Sequence, residues 1–219
     1  MGNEAHQGLF ISLEGGEGAG KSTQIKRLKE WCEKLHPGRE VIVTREPGGT
    51  DGAEAIRSLL VQGDTNKFTA KTDALLMLAS RVEHVERLLK PALSAGAIIL
   101  CDRFSDSSFV YQALSEGGFD EASLRHLHHM AIDNFAPDIT YLFDLPPEVG
   151  LARAGARANQ SEARFESKGL AFHEAVRSGY LSLAKDNPRI EVMDATRSED
   201  ELFEALTTSL ARHMSGRGW

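Results

Sequence analysis

The chain lacks several features that would each have set its class. Cysteine occurs only twice, at Cys32 and Cys101. Their spacing matches neither a metal knuckle nor a disulfide framework, and such sparse usage suits a reducing cytoplasm. No apolar run approaches the ~20 residues of a bilayer-spanning helix. Ala97-Ile98-Ile99-Leu100-Cys101, one of the longest, already ends at Asp102, so no membrane partner is expected. The first ten residues are polar and mixed, which does not read as a secretory signal. Positive charge is in deficit: 25 Lys and Arg against 32 Asp and Glu leave a net charge of −7. Nucleic-acid binders usually carry a basic face, so no nucleic-acid partner is expected. Internal repeats and low-complexity tracts are missing as well.

What remains is ordinary globular material, 41% hydrophobic and 26% charged over 219 residues, a length that suits one domain. Apolar runs at 9–14, 41–44, 97–101, 139–145 and 190–193 read as strands. Helical patterns occupy about 21–35, 51–62, 72–95, 105–116, 120–133, 146–155, 167–185 and 198–214. The first carries Ile25, Leu28, Trp31, Cys32 and Leu35 on one stripe and is closed by Pro37-Gly38. Strands alternating with helices imply crossover connections and a parallel sheet covered on both faces, a single three-layer α/β domain over 1–219. The small polar stretch at 156–165 is the expected mobile element.

Chemistry concentrates at the strand ends. Gly15-Gly16-Glu17-Gly18-Ala19-Gly20-Lys21-Ser22-Thr23 satisfies G-x-x-x-x-G-K-[ST] between a strand and a helix. Glycines let successive N–H groups point into one concavity, and the helix N-terminus adds positive potential for phosphate. Lys21 would reach the β- and γ-phosphates of a nucleotide, and the Ser22 hydroxyl would ligate Mg²⁺. The strand at 97–101 delivers Asp102, placed for a magnesium contact, and Arg103 beside it. Arg45 opens Arg45-Glu46-Pro47-Gly48-Gly49-Thr50, again just past a strand, and its fork suits bidentate phosphate contact. Arg81, among Leu75, Leu76, Met77 and Leu78, is costly to bury unpaired; it either meets an anion or polar ligand or is exposed. Arg153, Arg157 and Arg164 flank the polar stretch, where a closing lid would bring them to a transferring phosphoryl group.

These segments together resemble the bacterial thymidylate kinase family. The resemblance rests on Glu14 to Thr23, on Thr44 to Thr50, on Asp102-Arg103-Phe104-Ser105-Asp106-Ser107-Ser108 with Tyr111-Gln112, on Pro137 to Leu145, and on Arg164-Phe165-Glu166 with Phe172-His173-Glu174. It implies a three-layer P-loop NTPase fold with a five-stranded parallel sheet and a short lid at about 153–166. It also implies ATP on residues 15–23, dTMP held at its phosphate by Arg45 and Arg103, and Arg81 at the thymine edge or the phosphate. Ser108 matches the position that hydrogen-bonds thymine, and Tyr111, next to Gln112, the one that crowds the sugar. Glu17 matches an acidic position near the sugar 3′-hydroxyl or the metal. The phosphate loop carries no arginine, so the chain resembles the branch whose catalytic arginine comes from the lid: Arg153, Arg157 or Arg164. Met77 stands where the family commonly places an aromatic against thymine. The resemblance further implies a cytoplasmic homodimer, formed through helices such as 72–90 and 105–133.

The expected reaction is ATP + dTMP to ADP + dTDP with Mg²⁺. The acceptor phosphate oxygen is already an anionic nucleophile, so no general base is assigned among the 8 histidines or elsewhere. Two rivals stand beside it. A kinase of another nucleotide or of a deoxynucleoside is one; for a nucleoside acceptor it would need a carboxylate base, for which Glu14 and Glu17 are the candidates. A P-loop switch without turnover is the other, although the Asn-Lys-x-Asp segment for guanine is absent.

Overall fold

The computed structural model describes residues 7–62, 67–155, 169–217 and 219. Its five strands are β1 (Leu9–Gly15), β2 (Val41–Arg45), β3 (Ile98–Asp102), β4 (Ile139–Asp144) and β5 (Ile190–Asp194). They pair in the order β2-β3-β1-β4-β5, every neighbour parallel. The chain leaves β1 for β2 at one end of the sheet and leaves β3 for β4 on the opposite side of β1. A ligand crevice in an open parallel sheet lies where such connections diverge, beyond the carboxyl ends of the strands. Here that edge carries Arg45, Asp102, Gly15 and Asp144, the last residues of β2, β3, β1 and β4.

Alternation along β1 sorts the two faces. Leu9, Ile11 and Leu13 point to α1 (Lys21–Leu35) and α9 (Glu199–Gly216), meeting Ile25, Leu28 and Cys32 from the first and Leu202, Leu206 and Leu210 from the second. Leu28 is wholly buried in this layer; truncating such a leucine to alanine costs roughly 2–5 kcal/mol. Phe10 points the other way, into Val85, Leu89, Leu93 and Phe104. Ser12 and Glu14 share that second face, and both are fully buried. A strand that reads as apolar therefore also carries a buried polar row. The Ser12 and Thr140 hydroxyls lie 2.7 Å apart, and Asp106 is held by Arg189 through both carboxylate oxygens.

The remaining helices are α2 (Asp51–Val61), α3 (Ala70–His84), α4 (Lys90–Ser94), α5 (Ser105–Tyr111), α6 (Glu121–Ile132), α7 (Pro147–Gly155) and α8 (Leu170–Lys185). Two differ from the sequence reading. The helix expected over 72–95 is α3, a π turn at Val85–Leu89 and then α4. Pro91 has no N–H to donate and its ring crowds the carbonyl four residues back; the wider turn, in which Lys90 N–H reaches the Val85 carbonyl, accommodates it. The helix expected over 105–116 stops at Tyr111. There the Ser115 hydroxyl takes the Tyr111 carbonyl, and Gly117 at φ 72 turns the chain away. Most of the expected 153–166 lid lies outside the described residues.

Candidate active site

The loop from β1 to α1 is shaped by three glycines with positive φ: Gly15 (134), Gly18 (66) and Gly20 (93). Space demands glycine at two of them as well. A Cβ on Gly15 would overlap the Phe143 carbonyl, and one on Gly18 the Gly150 carbonyl. The reciprocal holds: a Cβ on Gly150 would overlap the Glu17 carbonyl. The loop is thus pressed backbone to backbone against β4 and the first turn of α7. Gly20 caps α1 without a side-chain bond, and Gln24 N–H is the first to find a helical carbonyl. The preceding N–H groups of Lys21, Ser22 and Thr23 form a positive helix end suited to phosphate.

Lys21 is buried beneath this arch, its Nζ donating to the carbonyls of Gly15 (3.2 Å) and Gly16 (3.0 Å). Burial, then Arg103, lower its pKa against the pull of Asp102, Glu17 and Glu14. Ser22 Oγ donates to Asp102 Oδ2 at 3.3 Å. A hydroxyl and a carboxylate at the mouth of a phosphate loop are hard oxygen donors, the set that suits Mg²⁺ held jointly with substrate phosphates.

Arg103 follows β3 directly, at φ 68. Its guanidinium donates to Glu17 (2.9 Å), to the Tyr180 hydroxyl (3.1 Å) and to Ser107 Oγ (3.3 Å), and lies 5.4 Å over the Tyr111 ring. Glu14 sits below. One of its oxygens accepts from Phe104 N–H at 2.7 Å; the other accepts from Ser107 Oγ and the Tyr180 hydroxyl at 2.7 and 2.9 Å. Burial, then nearby Asp106, push its pKa up to about 7 against Arg103 and these hydrogen bonds. Burial would raise Glu17 too, but Arg103, Lys21 and His173 outweigh it and hold that carboxyl below its ordinary value. Burial pushes the Tyr111 hydroxyl up to about 12.

Arg45 lies opposite Asp102 in the β2–β3 register and forms a half-exposed pair with Glu54 on α2, at 2.9 Å. Arg81 on α3 is buried: Nε donates to Glu46 at 2.6 Å, and Nη1 reaches Ser108 Oγ at 2.9 Å and His128 Nε2 at 2.6 Å. Of the outcomes open to it, the structure takes burial against a carboxylate of the chain itself. Glu46 is also met by His84 Nδ1 at 3.0 Å, and His84 Nε2 by Thr44 Oγ1 at 2.8 Å. Arg45, Arg81 and Arg103 therefore each carry their own carboxylate, Glu54, Glu46 and Glu17.

Met77 is half-buried one turn before Arg81, and Phe104 is wholly buried against Phe10 and 5.2 Å under Arg81. Ser108, Tyr111 and Gln112 are buried along α5 and its end. Arg153 donates to the Ala195 carbonyl, 3.4 Å away, at the loop after β5. Arg157 and Arg164 lie outside the described residues.

Of the residues that hold the arginines, the sequence marks Glu17 and Ser108 but not Glu46, Glu54, His128 or Tyr180. Glu46 stood inside a quoted segment without a role. His128 falls in step with Leu124 and Ile132 on the buried stripe of α6, a period that marks it as inward-facing. Tyr180, four residues after Val176 on α8, carries the same signal. Nothing in the local pattern marks the bidentate pair of Asp144 with Arg177, whose 2.6 and 2.9 Å bonds join β4 to α8.

A parallel sheet whose first strand runs through a glycine arch over a buried lysine into a helix defines a P-loop NTPase fold. The thymidylate kinase family profile matches residues 13–206. Among curated relatives, the thymidylate kinase of Caulobacter vibrioides is 50% identical over 210 residues, covering 95% of this chain and 98% of its own. That of Syntrophotalea carbinolica is 44% identical over 215 residues, with the same coverage. The crystal structure of thymidylate kinase from Ehrlichia chaffeensis superposes with a TM-score of 0.73 at 29% identity, covering 93% of this chain and 98% of that one. The chain belongs to the thymidylate kinase family, a family of phosphotransferases.

Proposed function

We propose that the chain transfers the γ-phosphoryl group of ATP to dTMP, giving ADP and dTDP for dTTP synthesis. One observation carries the choice of an acceptor that already bears phosphate. Arg45 and Arg103 stand at the carboxyl ends of β2 and β3, beside the phosphate loop, as cations for a phosphate-bearing acceptor. A nucleoside hydroxyl would instead need a carboxylate as general base. A phosphate oxygen needs none, and the site answers it with cations instead.

In this reading the N–H groups of residues 15–23 and Lys21 hold the ATP phosphates, so that charge on the transferring group meets fixed dipoles and one ammonium. Ser22 and Asp102 hold Mg²⁺, which supplies further charge neutralisation when bound. Arg45 and Arg103 exchange Glu54 and Glu17 for the dTMP phosphate, and Arg81 orients the acceptor. Ser108, Tyr111, Gln112 and Met77 surround its base and sugar. Glu17, released by Arg103, is then free to meet the sugar or the metal. Arg153, Arg157 and Arg164 supply the lid cations over a single 1–219 domain. Leu75 on α3 and Met130 on α6 stand exposed on helices expected to meet a second copy, which supports a homodimer; a cytoplasmic location belongs to the same reading.

Coupled ADP release with dTMP, dUMP, UMP, CMP, AMP and thymidine tests the reading. Fastest turnover is expected with dTMP. Preference for thymidine, or no turnover with any acceptor, would overturn it.

A further inference from the structure

Arg81 is the hub of the acceptor side, and its hydrogen bonds are unevenly spent. Nε is committed to Glu46 and Nη1 to Ser108 and His128, while Nη2 has no partner among the described residues. Glu46 arrives from the loop after β2, Ser108 from α5 and His128 from α6, so three separate elements fix one guanidinium.

The histidine is the unusual member. Its Nδ1 lies 2.8 Å from the Leu124 carbonyl, which can only accept. Its Nε2 lies 2.6 Å from a guanidinium N–H, which can only donate. The proton therefore sits on Nδ1 and the lone pair on Nε2: the ring is a neutral imidazole of one tautomer. Burial, then Arg81, pull its pKa down to about 4, in line with that geometry. Phe109 packs on the ring at 4.8 Å and holds its plane. An uncharged acceptor matters here. The pair of Arg81 with Glu46 is already balanced, and a second carboxylate would leave the cluster negative where an anionic nucleotide has to dock.

We propose that His128 is a positioning residue for the acceptor nucleotide: it completes the clamp that presents the free end of Arg81 to dTMP. The inference rests on the dTMP kinase reading and adds to it a residue on α6, outside every segment that carried the family resemblance. Without His128, Arg81 keeps Glu46 but loses the bond that sets its rotation. The acceptor would then bind more weakly, while ATP, held on residues 15–23, would not be affected.

The test is steady-state kinetics on purified full-length protein, with thermal melts alongside. His128→Leu removes the acceptor atom; His128→Gln restores a carbonyl acceptor at similar reach. Expected for His128→Leu is a roughly tenfold rise in the KM for dTMP, with kcat and the KM for ATP within about twofold of the parent. A tenfold change is about 1.4 kcal/mol, the scale of one hydrogen bond to a charged group. His128→Gln is expected to recover most of the loss. A merely structural role would lower the melting temperature of both variants without separating the two KM values. A folded His128→Leu with an unchanged KM for dTMP, or a His128→Gln no better than it, overturns the proposal. Should His128→Leu not fold, His128→Asn replaces it, with a carbonyl too short to reach Arg81, and a parental KM for dTMP again overturns the proposal. A parent enzyme inactive on dTMP would overturn the functional reading itself, and this inference with it.

Discussion

Beneath Arg103, linked to it through Ser107 and Tyr180, lies the buried carboxyl of Glu14. Glu14 has its pKa raised from 4.5 to about 7, so between those values the folded protein keeps a proton that the unfolded chain has released. Stability from this group is therefore present at low pH and lost as pH rises through that window. Urea midpoints of the parent are expected to fall relative to those of Glu14→Gln as pH goes from about 4.5 to 7; parallel curves would remove the effect. At Arg103 itself, Arg103→Ala is expected to raise the KM for dTMP at least tenfold while ATP binding, measured by titration calorimetry, survives. Unchanged acceptor kinetics would take Arg103 out of the site. Glu46 is the residue whose loss should be felt most in stability. Glu46→Gln leaves the Arg81 guanidinium buried without its counter-charge, a change that costs roughly 3–5 kcal/mol in comparable pairs and is readable as a lower urea midpoint.

Among the elements, the phosphate loop owes its shape to a helix distant in sequence. Gly18 and Gly150 each leave room for the other segment's backbone, so α7 braces the loop from behind. Gly150→Ala is expected to push the Glu17 carbonyl outward and raise the KM for ATP tenfold or more. Because Gly150 lies in a helix, where alanine gains about 1 kcal/mol of intrinsic propensity, a merely local effect would instead leave ATP kinetics intact and stability level or improved. The strands and the phosphate loop were legible in the chain because short apolar runs ending in glycine or acidic residues have few other readings. The break after His84 was not, since Val85, Leu89 and Leu93 still recur at helical spacing through the π turn. Nor was the polar row of Ser12 and Glu14 with Thr140, because its partners come from segments 90 or more residues away.

For the whole molecule, the deficit of positive charge resolves into placement. Arg45, Arg81 and Arg103 are each matched to a carboxylate, and the proposed exchange of those carboxylates for substrate phosphate would require no excess of cations on the surface. The candidate site could be read from the chain where motifs are contiguous, in residues 15–23, 44–50 and 102–112. It was illegible in the residues that hold Arg81 from elsewhere in the fold, Glu46 by its role and His128 altogether. The most direct test of the central claim is phosphorus NMR of the purified protein with ATP, Mg²⁺ and dTMP. The dTDP β-phosphate resonance is expected to grow as ATP is converted to ADP one for one, with no phosphorylated product from thymidine. Release of inorganic phosphate without dTDP, or phosphorylation of thymidine in its place, would contradict it.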